Sequence, residues 1–117
     1  MTVTRALAVV PSSDLVASRR WWTTLLGREP DLVPMPSDIE WHFDGGGGMQ
    51  VVDDAEHAGA GSVTLGSDDV DGDVTGARDR GIEIPDPVTV PSGQFRIAQL
   101  TDPDGNTVVL AQDLGAV

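Results

Sequence analysis

The feature that most constrains this chain is a duplication inside it. Asp14-Leu15 opens a stretch that closes at Leu26-Gly27, and Asp69-Val70 opens another that closes at Arg80-Gly81. The starts are 55 residues apart and the ends 54. Internal repetition at a fixed spacing means one supersecondary unit used twice. Each stretch reads as a short helix. In the first, Ser13 is the expected cap, Leu15, Trp22, Leu25 and Leu26 fall at helical spacing, and Gly27 supplies the left-handed exit. In the second, Asp68 or Asp69 caps, Val70, Val74 and Ala77 form the stripe, Arg78 and Arg80 sit near the negative end, and Gly81 exits.

Strand-like runs surround both helices. Val3 to Val10 precedes the first, followed by Asp31–Met35, Ile39–Phe43 and Met49–Val52. Ser62 to Leu65 precedes the second, followed by Glu83–Val90, Phe95–Leu100 and Thr107–Ala111. Asp44-Gly45-Gly46-Gly47-Gly48 and Asp102-Pro103-Asp104-Gly105-Asn106 have the chemistry of hairpin turns. The glycine run is no phosphate cradle, because no helix follows it and it holds no lysine. The chain therefore reads as β-α-β-β-β twice, an α+β domain spanning 1–117. Module one covers about 1–53, a linker about 54–61, and module two about 62–113.

Composition narrows the chemistry. There is no cysteine, so no disulfide, thiolate metal site or cysteine nucleophile is available. Seven Lys+Arg against 19 Asp+Glu, a net charge of −12, cannot furnish the cationic face that nucleic acid requires. The acidity is read either as a solubility feature or as attraction for a cationic ligand. Apolar runs are too short for a membrane span, and Met1 to Val10 lacks the pattern of a secretory signal, so a cytoplasmic location is expected.

Three segments carry a family resemblance. Ser13-Asp14-Leu15-Val16-Ala17-Ser18 with Trp21-Trp22 and Leu25-Leu26-Gly27 resembles the first helix of the vicinal-oxygen-chelate superfamily, which holds glyoxalase, extradiol dioxygenases and bleomycin-resistance proteins. Ser67-Asp68-Asp69-Val70 to Gly81 resembles its second helix, and Thr101 to Leu110 is similar to its last hairpin. The resemblance implies curved sheets enclosing a cavity, assembly as a homodimer, and a small-molecule ligand.

It also implies where a catalytic member would hold a divalent ion. Those positions fall near Leu7, at Gln50, at Ser62 and at Val109. Two of the four are aliphatic, so no metal or other cofactor is expected. The expected function is sequestration of an aromatic or cationic compound such as an antibiotic. The alternative is a metal-dependent or metal-free lyase, isomerase or dioxygenase acting on a small carbonyl or aromatic substrate.

The candidate ligand-binding residues are Trp41, His42, Gln50, Arg96, Gln99 and Val109. Strand alternation sets Ile39, Trp41 and Phe43 against Glu40 and His42, and Phe95, Ile97 and Gln99 against Arg96, Ala98 and Leu100. Alternation does not say which set faces a cavity. Trp41 is the favoured pocket residue because its indole offers a stacking face and one N–H, with a core position as the competing reading. His42 is open between a structural role and a polar pocket contact. His57 reads as a solvated loop residue, and Glu40 is the strand carboxylate that could face a cavity.

Overall fold

A computed structural model describes residues 1–115. Two four-stranded mixed sheets each carry one helix. The first module runs β1 (Ala6–Ser12), α1 (Leu15–Leu26), β2 (Leu32–Met35), β3 (Asp38–His42) and β4 (Gly47–Asp53), with sheet order β1-β4-β3-β2. The second runs β5 (Ser62–Gly66), α2 (Val70–Asp79), β6 (Val88–Thr89), β7 (Phe95–Thr101) and β8 (Thr107–Asp113), with order β5-β8-β7-β6. The fold is the expected doubled βαβββ arrangement.

Local corrections have identifiable causes. The first strand begins at Ala6, not Val3, because β4, its ladder partner, reaches no further than Gly47. Glu83–Val90 yields only Val88–Thr89 as strand, since Pro85 and Pro87 interrupt donation to a ladder. Asp14, not Ser13, caps α1 by accepting from the Ala17 N–H. Asp69 caps α2 through the Gly72 N–H.

Burial and register fix which face of each sheet carries its helix. Ile39, Trp41, Met49, Val10 and Val51 join Trp22 and Leu25 of α1 in the core. Val63, Val108, Leu110, Ala98 and Leu100 join Val70, Val74 and Ala77 of α2. The opposite faces have no covering element from their own module. On sheet one that open face carries Leu7, Val9, Gln50, Val52, Asp38, Glu40 and His42, and on sheet two Thr64, Val109, Ile97 and Gln99.

The edge strands β1 and β5 adjoin, and polar groups stitch that seam. Asn106, fully buried, accepts from the Gly59 and Gly61 N–H groups at 3.0 and 2.8 Å and donates to the Pro11 carbonyl at 2.8 Å. Ser13 donates to Asp104 from both its backbone N–H and its hydroxyl. Burial works against the Asp104 charge, yet the donors from Ser13, Ser12 and Ser18 outweigh it and hold the carboxyl below its usual range.

Arg80 makes a second stitch. It reaches the carbonyls of Thr24 (2.6 Å) and Leu25 (2.9 Å) at the C-terminal end of α1, rather than serving its own helix. A Cβ on Gly27, which already has φ +72°, would stand 3.1 Å from that guanidinium. Arg80→Ala leaves two terminal carbonyls of α1 without this cation and should cost about 1 kcal/mol. The check is the midpoint of thermal unfolding, expected to fall by roughly 4 °C; an unchanged midpoint would show the stitch to be energetically idle.

Candidate functional site

The open face of sheet one holds a polar network built by strand register. Glu40 stands opposite Gln50 across the β3–β4 ladder, and His42 lies two residues along the same face. The His42 Nε2 and Glu40 Oε1 are 2.9 Å apart, and the His42 Nδ1 lies 3.0 Å from an Arg5 guanidinium nitrogen. A guanidinium only donates, so Nδ1 accepts and Nε2–H donates to Glu40. The Gln50 Nε2 approaches the second Glu40 oxygen at 3.5 Å.

Behind this network, Asp31 accepts from the His42 backbone N–H and from Arg28, both at 2.7 Å. The backbone bond, then Arg28, hold the Asp31 carboxyl below its ordinary range. The Asp38 carboxyl moves the other way. Burial first, then the charge and contact of Glu40, push it up.

The expected site residues divide. His42, Gln50, Gln99 and Val109 lie on open faces, the first two together on sheet one and the last two opposite each other on sheet two. Trp41 does not: it is fully buried on the helix-bearing face, and its Nε1–H donates to the Arg28 carbonyl at 3.1 Å. That removes it from the pocket, because α1 covers the aromatic set of β3. Arg96 also leaves the site. It lies on the helix side and forms a two-pronged pair with Asp71 of α2 at 2.8 and 2.9 Å. His57 pairs with Asp54 in the exposed loop.

Reasoning from the sequence overlooked Asp38, placed before β3, though the i, i+2, i+4 run Asp38, Glu40, His42 was its signal. It also missed Phe95 as the open-face aromatic, 37% exposed at the start of β7.

Strand register sets what surrounds the four positions. The ladder neighbour of Gln50 on β1 is Val9, with Leu7 two residues along the same face, and the ladder neighbour of Val109 on β5 is Thr64, with Ser62 two residues along. The two ladder pairs form a central quartet, Val9, Gln50, Thr64 and Val109; with Leu7 and Ser62 in place of Val9 and Thr64 the side-chain types are the same. Two aliphatic groups, one amide and one hydroxyl do not suit a divalent ion, which takes imidazole, carboxylate or several oxygen ligands. Among the described residues, no three His, Cys, Asp or Glu side chains gather as a metal-binding group.

A cavity of about 490 Å³ also opens at the β1/β5 seam. Ala8, Leu25, Leu26, Val63, Leu65 and Leu110 line it, with Asp44, Asp73 and Arg80 among its polar members.

No family model matches this sequence, and no curated protein matches it. Solved structures do. A glyoxalase/bleomycin resistance protein from Catenulispora acidiphila is 31% identical, with 92% of this chain and 96% of that one aligned at a TM-score of 0.85. The chain belongs to the glyoxalase/bleomycin-resistance family. A second member, from Streptomyces sp. CB03234, is 28% identical over 92% of this chain and 99% of that one, at a TM-score of 0.73. TnmS3, an antibiotic-binding protein from the same Streptomyces strain, is 25% identical over 97% of this chain and 98% of that one, at 0.74. A bleomycin-binding protein solved with bleomycin shares the fold at 20% identity, 93% and 98% coverage and a TM-score of 0.77.

Proposed function

We propose that this family member binds and sequesters a small molecule with an aromatic part, without a metal, and does so as a homodimer whose subunits cover each other's open sheet faces. The observation that carries the reading is the central quartet. At and beside the positions where the resemblance places a catalytic member's ion, Val9, Gln50, Thr64 and Val109 present two apolar surfaces, an amide and a hydroxyl. That composition is right for an uncharged organic surface with a few orienting hydrogen bonds. Phe95 and Gln99 extend it along β7. Antibiotic and bleomycin binding by the structural neighbours supports the same class of ligand.

The shape of one chain supports pairing. Its radius of gyration is 14.5 Å, against about 13 Å for a compact chain of this length. It exposes 6766 Å², about 700 Å² more than a monomer of its mass usually does. A standard interface buries about 800 Å² on each partner. Val9, Leu32, Val33, Met35, Val88 and Phe95 are large apolar side chains left exposed, and a second copy would cover such surface.

Light scattering at micromolar concentration should give twice the chain mass; a monomer there removes the pairing. A thermal-shift screen against bleomycin, other cationic antibiotics and planar aromatic compounds tests the ligand. Ligand at 100 times its dissociation constant stabilises by about 2.7 kcal/mol. Stoichiometric divalent metal in protein purified without chelator, required for activity on a carbonyl or aromatic substrate, would replace sequestration with catalysis.

A further inference from the structure

We propose that the open face of sheet one carries a subsite for an organic cation with N–H donors, an ammonium, amidinium or guanidinium, held by the carboxylates of Asp38 and Glu40 beside the Gln50 amide. This rests on the small-molecule reading above and specifies the charge of the group received there.

Three observations converge. Asp38 and Glu40 are each only 8% exposed, so both carboxyls are largely withdrawn from water. They stand two residues apart on one strand and so share a face. The Asp38 Oδ1 is buried and has no hydrogen-bond partner. Buried acceptors are nearly always satisfied, and leaving one unsatisfied carries its desolvation penalty.

Among the described residues, no arginine is bonded to either carboxylate of this pair. Arg5 bonds to His42, and Arg28 bonds to Asp31 and to the His42 carbonyl. His42 and Gln50 donate to Glu40 alone. Two carboxyls side by side with one orphaned acceptor need either a shared proton or a positive donor. Burial, and next the charge of Glu40, already favour the proton on Asp38. A ligand N–H⁺ group substitutes for that proton, since it fills the Oδ1 acceptor and cancels the repulsion together. A neutral hydroxyl or amide fills the acceptor and leaves the repulsion. A divalent ion is the poorer fit, because the other polar side chains among those on this face are one amide and an imidazole already bonded to Glu40 and Arg5.

Benzamidine and benzamide make the test, being close in shape and both N–H donors but differing in charge. Titration calorimetry on the full chain, with ¹⁵N–¹H shifts mapping the site, should give benzamidine at least tenfold tighter binding, with shifts on residues 38–42 and 50. Asp38→Asn should bring the two ligands within about twofold while leaving benzamide unchanged. Asp68→Asn removes the same charge at an exposed position and should preserve the preference. Equal binding of the two ligands on this face overturns the cation subsite and leaves small-molecule binding standing. No benzamidine binding, a preference that survives Asp38→Asn, a preference lost equally in Asp68→Asn, or displacement of benzamidine by millimolar magnesium or calcium also overturns it. Thermal melts of both variants confirm that folded protein is compared.

Discussion

Trp41→Ala should lower the free energy of unfolding by about 3–5 kcal/mol, the usual loss for a large aromatic deleted from a core. The indole is fully buried among Trp22, Met49 and their neighbours, so alanine leaves a cavity under α1. It also orphans the Arg28 carbonyl, which accepts from the indole N–H. Trp41→Phe keeps most of the packing and should cost less, about 1–2 kcal/mol, for the lost bond and the volume difference. Urea unfolding followed by circular dichroism measures both. Because the side chain has no exposed surface, affinity per folded molecule for any compound found in the thermal-shift screen should be unchanged. A tenfold affinity loss in a fully folded Trp41→Ala protein would return this residue to the binding site.

Asn106→Ala should cost about 3 kcal/mol and lower the melting temperature by roughly 10 °C. The side chain is fully buried at the seam and uses both ends of its amide. Its oxygen receives two backbone N–H groups of the intermodule segment, and its nitrogen donates to the Pro11 carbonyl and to Asp102. Alanine strips partners from three backbone groups at once. The seam is closely packed around it: a Cβ on Gly61 would stand 2.9 Å from the Asn106 oxygen. Asn106→Asp separates the two halves of the role. A carboxylate still receives the Gly59 and Gly61 N–H groups but cannot donate to Pro11, and it sets a second charge against Asp102. Its loss should therefore approach that of alanine. If Asn106→Asp is as stable as the parent chain, donation across the seam contributes nothing.

The seam illustrates how the two kinds of information divide. The Asp102–Asn106 segment is legible as a turn from its Asp, Pro and Gly content. Nothing in it announces a hydrogen bond to Pro11, 95 positions earlier. Arg80 behaves alike: its position suggests service to its own helix, yet its guanidinium closes the end of α1. Contacts at such separations depend on how the modules dock, and docking leaves no periodic trace in the chain.

The sequence by itself determined the duplicated βαβββ order, because helix and strand periods, caps and turns are short-range properties of neighbouring residues. It also determined the partition of β3 into Ile39 and Trp41 against Glu40 and His42, since a strand alternates whatever it packs against. Only the tertiary structure decided which half faces the helix. Trp41 went to the core and Asp38, Glu40 and His42 to the open face because α1 covers one side of its sheet and no element of that module covers the other. Arg96 and Gln99 were sorted by the same rule, with Asp71 of α2 drawing the arginine to the helix side. The pairing of Gln50 with Val9, and of Val109 with Thr64, came from parallel strand register, which long-range hydrogen bonds set and local sequence does not.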